Sequence, residues 1–259
     1  MNLTIQNLTV SYSDNPVLNN IGDRWVAGQI NGIIGSNGAG KSTLLKAIAG
    51  LIPAKGTLSF CGTMIDKDTQ NREIAYMAQD NGATSSLTVI EVVLLGRLNS
   101  LGLTIPESYV NEAMTHLNAF GLYHLHTRTL DALSGGQRQL VYLAQALFRN
   151  PKILLLDEPT AALDLRHQLL VLEHVRRYAQ EMGAIVAVAM HDLTLAAHFS
   201  DRIIAIDAGQ VIAHGKPIDV LTRDLLGQLY GVEADVSIGS SGRVHIVPTA
   251  TVKRAGHAN

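Results

Sequence analysis

The 259-residue sequence has little of several features that mark out particular protein classes. It has one cysteine, Cys61, so an intramolecular disulfide cannot form, and such sparse use of cysteine fits a reducing compartment. Its 20 basic and 22 acidic residues give a formal net charge of -2. The composition therefore gives no sign of a generally basic surface built to bind nucleic acid or anionic lipid.

Long apolar runs are also missing. The longest uncharged apolar stretches, such as residues 183–190, fall far short of the roughly 20 residues that a membrane-spanning helix needs. At the N-terminus, apolar Leu3 and Ile5 alternate with polar neighbours, which is typical of a strand and not of a secretion signal. We therefore expect any membrane role to come through a partner. The hydrophobic content of 47% supports a substantial buried core.

The strongest positive signal is a glycine-rich loop between an apolar strand and a helix. It matches G-x-x-x-x-G-K-[ST] and consists of Gly35, Ser36, Asn37, Gly38, Ala39, Gly40, Lys41, Ser42 and Thr43. Its glycines permit positive φ, so that successive N–H groups and the helix N-terminus can surround phosphates. Lys41 is predicted to contact the β- and γ-phosphates, Ser42 to hold Mg²⁺, and Thr43 to contact the α- and β-phosphates. The loop predicts an ATP and Mg²⁺ site.

Four polar residues that follow predicted strands supply the chemistry: Gln79, Asp157, Glu158 and His191. Asp157 is predicted to hold Mg²⁺, directly or through water, and Glu158 to orient or deprotonate the attacking water. His191 is expected to approach the γ-phosphate and stabilise the transition state, and Gln79 to sense both Mg²⁺ and the water. The predicted catalytic set is therefore Glu158, His191 and Gln79, and the predicted Mg²⁺ set is Ser42, Gln79 and Asp157.

A second glycine-bearing turn opens another helix at Leu133-Ser-Gly-Gly-Gln137. Ser134 and the backbone of Gly135 and Gly136, with Gln137, predict a further anion site, so one chain carries two half-sites for phosphate. These motifs together resemble the ATP-binding-cassette superfamily over Leu3 to about Tyr230. The resemblance implies a head-to-tail homodimer in which this signature completes the ATP site of the opposite subunit.

The same resemblance implies roles for two more residues. Tyr12 matches the aromatic that stacks on adenine, and Asp164 matches the loop that joins the two ATP sites across the dimer. Ser36 stands where many relatives have proline, and we expect nucleotide binding to survive this change because the glycines and Lys41 are unchanged.

The fold expected is an α/β P-loop NTPase (RecA-like) core with an antiparallel β subdomain and an inserted helical subdomain. Apolar runs at 153–156 and 184–189, with a helical stretch between them, predict a parallel sheet covered on both faces. We expect one ATPase domain over 1–259. Its predicted parts are a catalytic core with the β subdomain at 1–79 and 138–230, a helical signature subdomain at 80–137, and a C-terminal tail at 231–259.

Three segments resemble the ATPase subunits of importers for ferric siderophores, haem and cobalamin: residues 163–169, 191–197 and 229–232. The resemblance implies an ATP-hydrolysing subunit on the cytoplasmic face of the inner membrane, bound peripherally to permease subunits and working indirectly with a substrate-binding protein. The segment 80–93 is the expected permease contact. Two alternatives stay open, namely an importer of another class and a soluble ATPase of an assembly complex.

Overall fold

The computed structural model describes residues 1–13, 15–79, 85–100, 104–240 and 242–252. Within these ranges no helix is both long enough and apolar enough to cross a bilayer. The strands are β1 (Asn2–Tyr12), β2 (Asn15–Val26), β3 (Ile30–Ile34), β4 (Lys55–Phe60), β5 (Thr63–Met64), β6 (Ile74–Met77), β7 (Ile153–Asp157), β8 (Ile185–Ala189), β9 (Arg202–Asp207), β10 (Gln210–Gly215), β11 (Val232–Ile238) and β12 (Val244–Thr251). The helices are α1 (Lys41–Ile48), α2 (Lys67–Glu73), α3 (Val89–Leu94), α4 (Glu107–Ala119), α5 (Gly135–Phe148), α6 (Leu165–Met182), α7 (Leu193–Phe199), α8 (Pro217–Val220) and α9 (Arg223–Tyr230), with short 3₁₀ segments at Leu95–Ser100, Tyr123–Leu125 and Leu130–Ala132.

The central sheet has the strand order β10-β9-β3-β8-β7-β6. Its strands run parallel except for β10, which pairs with β9 as an antiparallel edge. Strands β3, β7 and β8 are buried along their whole length because helices cover both faces. Their carboxyl ends meet at one edge of the sheet, which is where the predicted catalytic residues follow the strands.

A second sheet has the order β2-β1-β4-β5 and is antiparallel. The apolar side chains of β1 and β2 pack with those of α1 into one hydrophobic cluster that includes Leu3, Ile5, Trp25 and Leu44. The sheet therefore lies against the helix that follows the phosphate loop. The antiparallel layer predicted from the N-terminal sequence is confirmed.

The segment between β6 and β7 is helical, as the sequence predicted. Helices α3, α4 and α5 contact one another and share a hydrophobic cluster with the central sheet. Helix α5 runs across the predicted boundary at 137 and also contacts β6, so it connects the helical segment to the sheet. The P-loop α/β fold class expected from the sequence is confirmed.

Two helices were not predicted from the sequence. Helix α2 lies in the interval 57–79, where the sequence has mainly strand character; it begins at the N-cap Asp66 and has no buried side chain. Helix α7 begins at the N-cap Asp192, whose carboxylate accepts from the amides of Thr194 and Leu195. In both helices a capping aspartate fixes the start where apolar periodicity gives a weak signal.

Candidate functional site

The phosphate loop is a tight turn that connects β3 to α1. Gly35 and Gly40 have φ values of 156° and 108°, and a Cβ at Gly35 would lie 2.3 Å from the carbonyl oxygen of Ile206. Both positions therefore require glycine. Asn37 and Gly38 lie exposed at the tip of the loop, whereas the predicted contact Thr43 is half-buried in the first turn of α1.

The loop is closed from inside by hydrogen bonds. The Lys41 ammonium donates to the carbonyl oxygens of Gly35 at 2.8 Å and Ser36 at 3.1 Å, and the Ala39 amide donates to Ser36 at 3.1 Å. Lys41 is buried, and this burial lowers the pKa of its ammonium, while the carboxylates of Glu158 and Asp157 act in the opposite direction. A buried cation at the start of a helix makes this loop suited to an anion.

The predicted Mg²⁺ residues Ser42 and Asp157 are adjacent. The Ser42 hydroxyl donates to Asp157 Oδ1 at 3.0 Å, and the Tyr76 hydroxyl donates to Asp157 Oδ2 at 3.1 Å. Burial and the Asp157 carboxylate raise the pKa of the Tyr76 hydroxyl, so it remains protonated and acts as a donor. A hydroxyl beside a buried carboxylate is a donor set that suits Mg²⁺ when phosphate oxygens and water complete the shell.

All three predicted catalytic residues are in contact. The Glu158 carboxylate, which is buried, accepts from the side-chain amide of Gln79 and pairs with Nε2 of the more exposed His191. Glu158 has a positive φ of 51°, which is uncommon for a residue with a side chain. Its amide donates to the Ala189 carbonyl at 3.1 Å, which connects the end of β7 to the end of β8.

Two residues near this site were not singled out from the sequence. Gln139, on α5, donates to the carbonyl of Glu158 at 2.9 Å and accepts from the amide of Ala162 at 3.3 Å. Tyr230, at the end of α9, accepts the amide of Gly35 at 3.1 Å. Gln139 lies two residues beyond the signature motif. Tyr230 lies in the segment 229–232, which served above only as evidence of resemblance to importer ATPases.

The signature residues lie in a different cavity. Ser134 caps α5 by accepting from the Gln137 amide at 3.2 Å, and the Gln137 side chain accepts from the Ser134 amide at 3.0 Å. Gly135 and Gly136 follow in the first turn. These four residues and Asp164 line one cavity of about 800 Å³.

Asp164 caps α6 by accepting from the His167 amide at 2.9 Å, and this bond is the main cause of the lowered pKa of its exposed carboxyl. Loop residues Gly35, Ser36 and Asn37 line another cavity, of about 450 Å³, together with His191 and Tyr230. The structure thus brings Asp164 together with the signature and His191 together with the phosphate loop. Tyr12 ends β1 and is half-exposed.

The sequence profile of the ABC transporter family matches residues 18–161, which include the phosphate loop, the signature and the Asp157–Glu158 pair. The chain belongs to the ABC transporter family. It is therefore an ATP-using ATPase subunit of the ABC type, consistent with its P-loop core.

The achromobactin transport ATP-binding protein CbrD of Dickeya dadantii (strain 3937) is 35% identical over 240 residues, which cover 90% of this chain and 89% of that protein. The hemin import ATP-binding protein HmuV of Plesiomonas shigelloides is 34% identical over 264 residues, covering 93% of this chain and all of that protein. A solved structure described as an inward-facing metal-chelate type ABC transporter has a TM-score of 0.81 and 27% identity, and the match covers 95% of this chain and 97% of that chain. The chain is therefore similar in sequence to these two relatives, and in fold to this transporter structure, over nearly its whole length.

Proposed function

We propose that this ABC ATPase hydrolyses ATP to drive uptake of an iron chelate, such as a ferric siderophore, or of haem or cobalamin, through a separate permease. The observation that carries the catalytic part is the contact of Gln79 and His191 with the Glu158 carboxylate beside the phosphate loop. The cargo class rests on relatives named for achromobactin transport and hemin import, and on the likeness to a metal-chelate transporter.

The chemistry assigned to each residue follows from its position. The loop amides and Lys41 bind the triphosphate, and Glu158 orients or deprotonates the attacking water. Gln79 and His191 hold the Glu158 carboxylate, with His191 stabilising charge near the γ-phosphate. Ser42 and Asp157, with the predicted ligand Gln79, would hold Mg²⁺, which would neutralise charge on the β- and γ-phosphates.

We infer a head-to-tail homodimer because the two phosphate half-sites lie in separate cavities of one subunit. Ser134, Gly135, Gly136 and Gln137 then contact the nucleotide held by the opposite loop, and Asp164 joins the two sites. A mixing experiment tests this arrangement. Lys41→Met and Ser134→Arg are each expected to be inactive, because each spoils both sites of its own homodimer.

An equal mixture of these two variants contains heterodimers in which one site has an intact loop and an intact signature. We expect activity to return to about a quarter of wild type, since about half the dimers would each have one working site. A mixture that stays inactive, although cross-linking shows that heterodimers form, would contradict the head-to-tail arrangement. A mixture of wild-type and Lys41→Met protein serves as the control for exchange of subunits.

We propose that permease subunits dock on the helical subdomain, 80–137, at the predicted segment 80–93 and the groove beyond it. Residues 80–84 lie outside the described residues. The groove, of about 890 Å³, is lined by the exposed Leu95 and Leu98 and by charged residues that include Arg149 and Lys152.

Leu98→Glu should reduce ATP-driven uptake while ATP hydrolysis by the isolated protein is unchanged. Met64→Glu, at a somewhat more exposed apolar position in the antiparallel sheet, is the control.

The location proposed is peripheral, on the cytoplasmic face of the inner membrane, with a substrate-binding protein acting through the permease. Deletion of the gene and return of wild-type or Glu158→Gln protein tests the whole proposal by uptake of labelled ferric siderophore, haem and cobalamin. Loss of uptake that only the wild type restores supports it. Unchanged uptake of all three, with ATPase activity intact in the purified protein, would favour another importer class or a soluble assembly ATPase.

A further inference from the structure

Tyr230 reaches the phosphate loop from outside the segment that the family profile matches. It is the last residue of α9, and its hydroxyl oxygen accepts the backbone N–H of Gly35 at 3.1 Å. Gly35 is buried, and a Cβ added there would lie 2.3 Å from the carbonyl oxygen of Ile206. The bond therefore fixes the first residue of the loop to a helix about 195 positions further along the chain.

The side chain of Tyr230 also faces the same space as a predicted catalytic residue. Tyr230 and His191 line one cavity with Gly35, Ser36 and Asn37. This cavity lies on the side of the loop that leads to His191, which is where the γ-phosphate is proposed to lie.

The C-terminal hairpin contacts the helix that ends in Tyr230 and the helix that begins just after His191. Strand β11 packs against α9, which ends in Tyr230, and β12 packs against α7, which begins just after His191. Gly231 ends α9 in the left-handed conformation, and its carbonyl accepts the amide of Val252, the residue after β12. A displacement of α9 or α7 at the site would therefore reach the hairpin through direct contacts.

We propose that Tyr230 is a positioning residue for the phosphate loop and that it couples the C-terminal hairpin to the nucleotide state of the site. This rests on the proposed ATP site. The Lys41 ammonium donates to the carbonyls of Gly35 and Ser36. When this ammonium turns toward phosphate, the loop loses hydrogen bonds to these carbonyls. The bond from Gly35 to Tyr230 does not involve Lys41, so a movement of Lys41 toward phosphate does not by itself break it.

The effect of Tyr230 therefore falls on the placement of the γ-phosphate more than on affinity. The amides of Gly38 to Thr43 and the Lys41 charge supply most of the binding, whereas the Tyr230 hydroxyl bonds to the amide of Gly35, at the entrance of the loop. Loss of the hydroxyl leaves the buried Gly35 amide without this acceptor and lets the loop entrance move relative to Glu158 and His191.

Tyr230→Phe tests the positioning role because it removes a single oxygen. Nucleotide stoichiometry, kcat and KM for MgATP are measured on the full-length protein. We expect full stoichiometry, a KM within about twofold of wild type, and a kcat lower by about fivefold to tenfold. Tyr178→Phe is the matched control, since its hydroxyl donates to the Pro151 carbonyl at 2.7 Å and lies outside the site. A kcat within twofold of wild type, or a higher KM at unchanged kcat, overturns the positioning role.

Hydrogen exchange tests the coupling. In wild-type protein we expect MgATP to slow exchange in both the phosphate loop and the β11–β12 hairpin. In Tyr230→Phe the loop should still be protected, whereas the hairpin response should be lost. A hairpin response that survives in the variant, or that is missing in wild type, overturns the coupling. A wild-type protein that binds no ATP would instead contradict the proposed function.

Discussion

The side-chain amide of Gln139 donates to the backbone carbonyl of Glu158 at 2.9 Å, and its oxygen accepts the amide of Ala162 at 3.3 Å. Glu158 has a positive φ of 51°, a conformation that costs a side-chain-bearing residue about 1–2 kcal/mol unless its surroundings hold it. Gln139 is buried on α5, the helix that begins at the signature turn. The proposed catalytic base and the signature helix are thus joined within one subunit.

Gln139→Leu should lower ATPase activity about tenfold, because Glu158 loses a bond that fixes its unusual backbone. It should also reduce the free energy of unfolding by about 1–3 kcal/mol, since the buried carbonyl of Glu158 loses its partner and the amide of the exposed Ala162 loses its acceptor. Steady-state kinetics and urea unfolding measure the two effects.

The control for this substitution lies on the same helix. Gln145 donates its side-chain amide to the Val92 carbonyl at 2.9 Å, away from Glu158. Gln145→Leu should be destabilised to a similar degree while kcat in the isolated protein changes little. Equal loss of kcat in both variants would mean that Gln139 acts only through stability.

Glu158→Gln should bind ATP but hydrolyse it at least about 100-fold more slowly, because the amide cannot accept a proton from water. The trapped ATP should hold the dimer closed, so size-exclusion chromatography with MgATP should show a dimer. Glu173→Gln, an exposed position on α6, provides the control and should retain wild-type kinetics. Rapid hydrolysis by Glu158→Gln would assign the base to another residue.

Tyr12→Ala should weaken ATP binding by about threefold to tenfold, the range expected for loss of one aromatic stacking contact. Tyr12 is 50% exposed, so the substitution should leave the fold intact. Fluorescent-nucleotide titration measures the change, and Tyr12→Trp should retain tight binding. Tyr123→Ala, at an equally exposed tyrosine, is the control. Unchanged affinity in Tyr12→Ala would rule out the adenine contact.

Stability should fall as the pH drops below about 6.5, in part because of His116. Burial against Phe148 lowers the pKa of His116 from its usual 6.5, with Arg97 and His174 acting in the same direction and Glu112 opposing. Between the folded pKa and 6.5 the unfolded chain binds more protons than the native protein, so the free energy of unfolding rises with pH across that window.

His116→Phe should therefore flatten the dependence of unfolding free energy on pH below 6.5 and leave the values above it less affected. Urea unfolding at a series of pH values provides the measurement. His124→Phe, at an exposed histidine, should keep the wild-type slope. A slope in His116→Phe as steep as in wild type would show that other groups control the acid response.

Local sequence patterns predicted the elements that carry the site. The apolar run before Gly35 predicted a strand where β3 lies, and the run before Asp157 predicted β7, because buried parallel strands need continuous apolar residues. Helix α2 was not predicted because its seven residues are polar and none is buried, so it has no apolar periodicity. The roles assigned to Glu158, His191 and Gln79 stay predictions, although the structure places these side chains in contact.

The sequence by itself determined the family, the phosphate loop and the order of the motifs, because each depends on residues close together in the chain. Only the tertiary structure decided which distant groups meet. The bond of Tyr230 to Gly35 joins residues 195 positions apart, and no local periodicity encodes such a pair. The links from Gln139 to Glu158 and from Gln79 to Glu158 likewise depend on how β6 pairs with β7 and how α5 packs on β6, which is set by burial of the whole core.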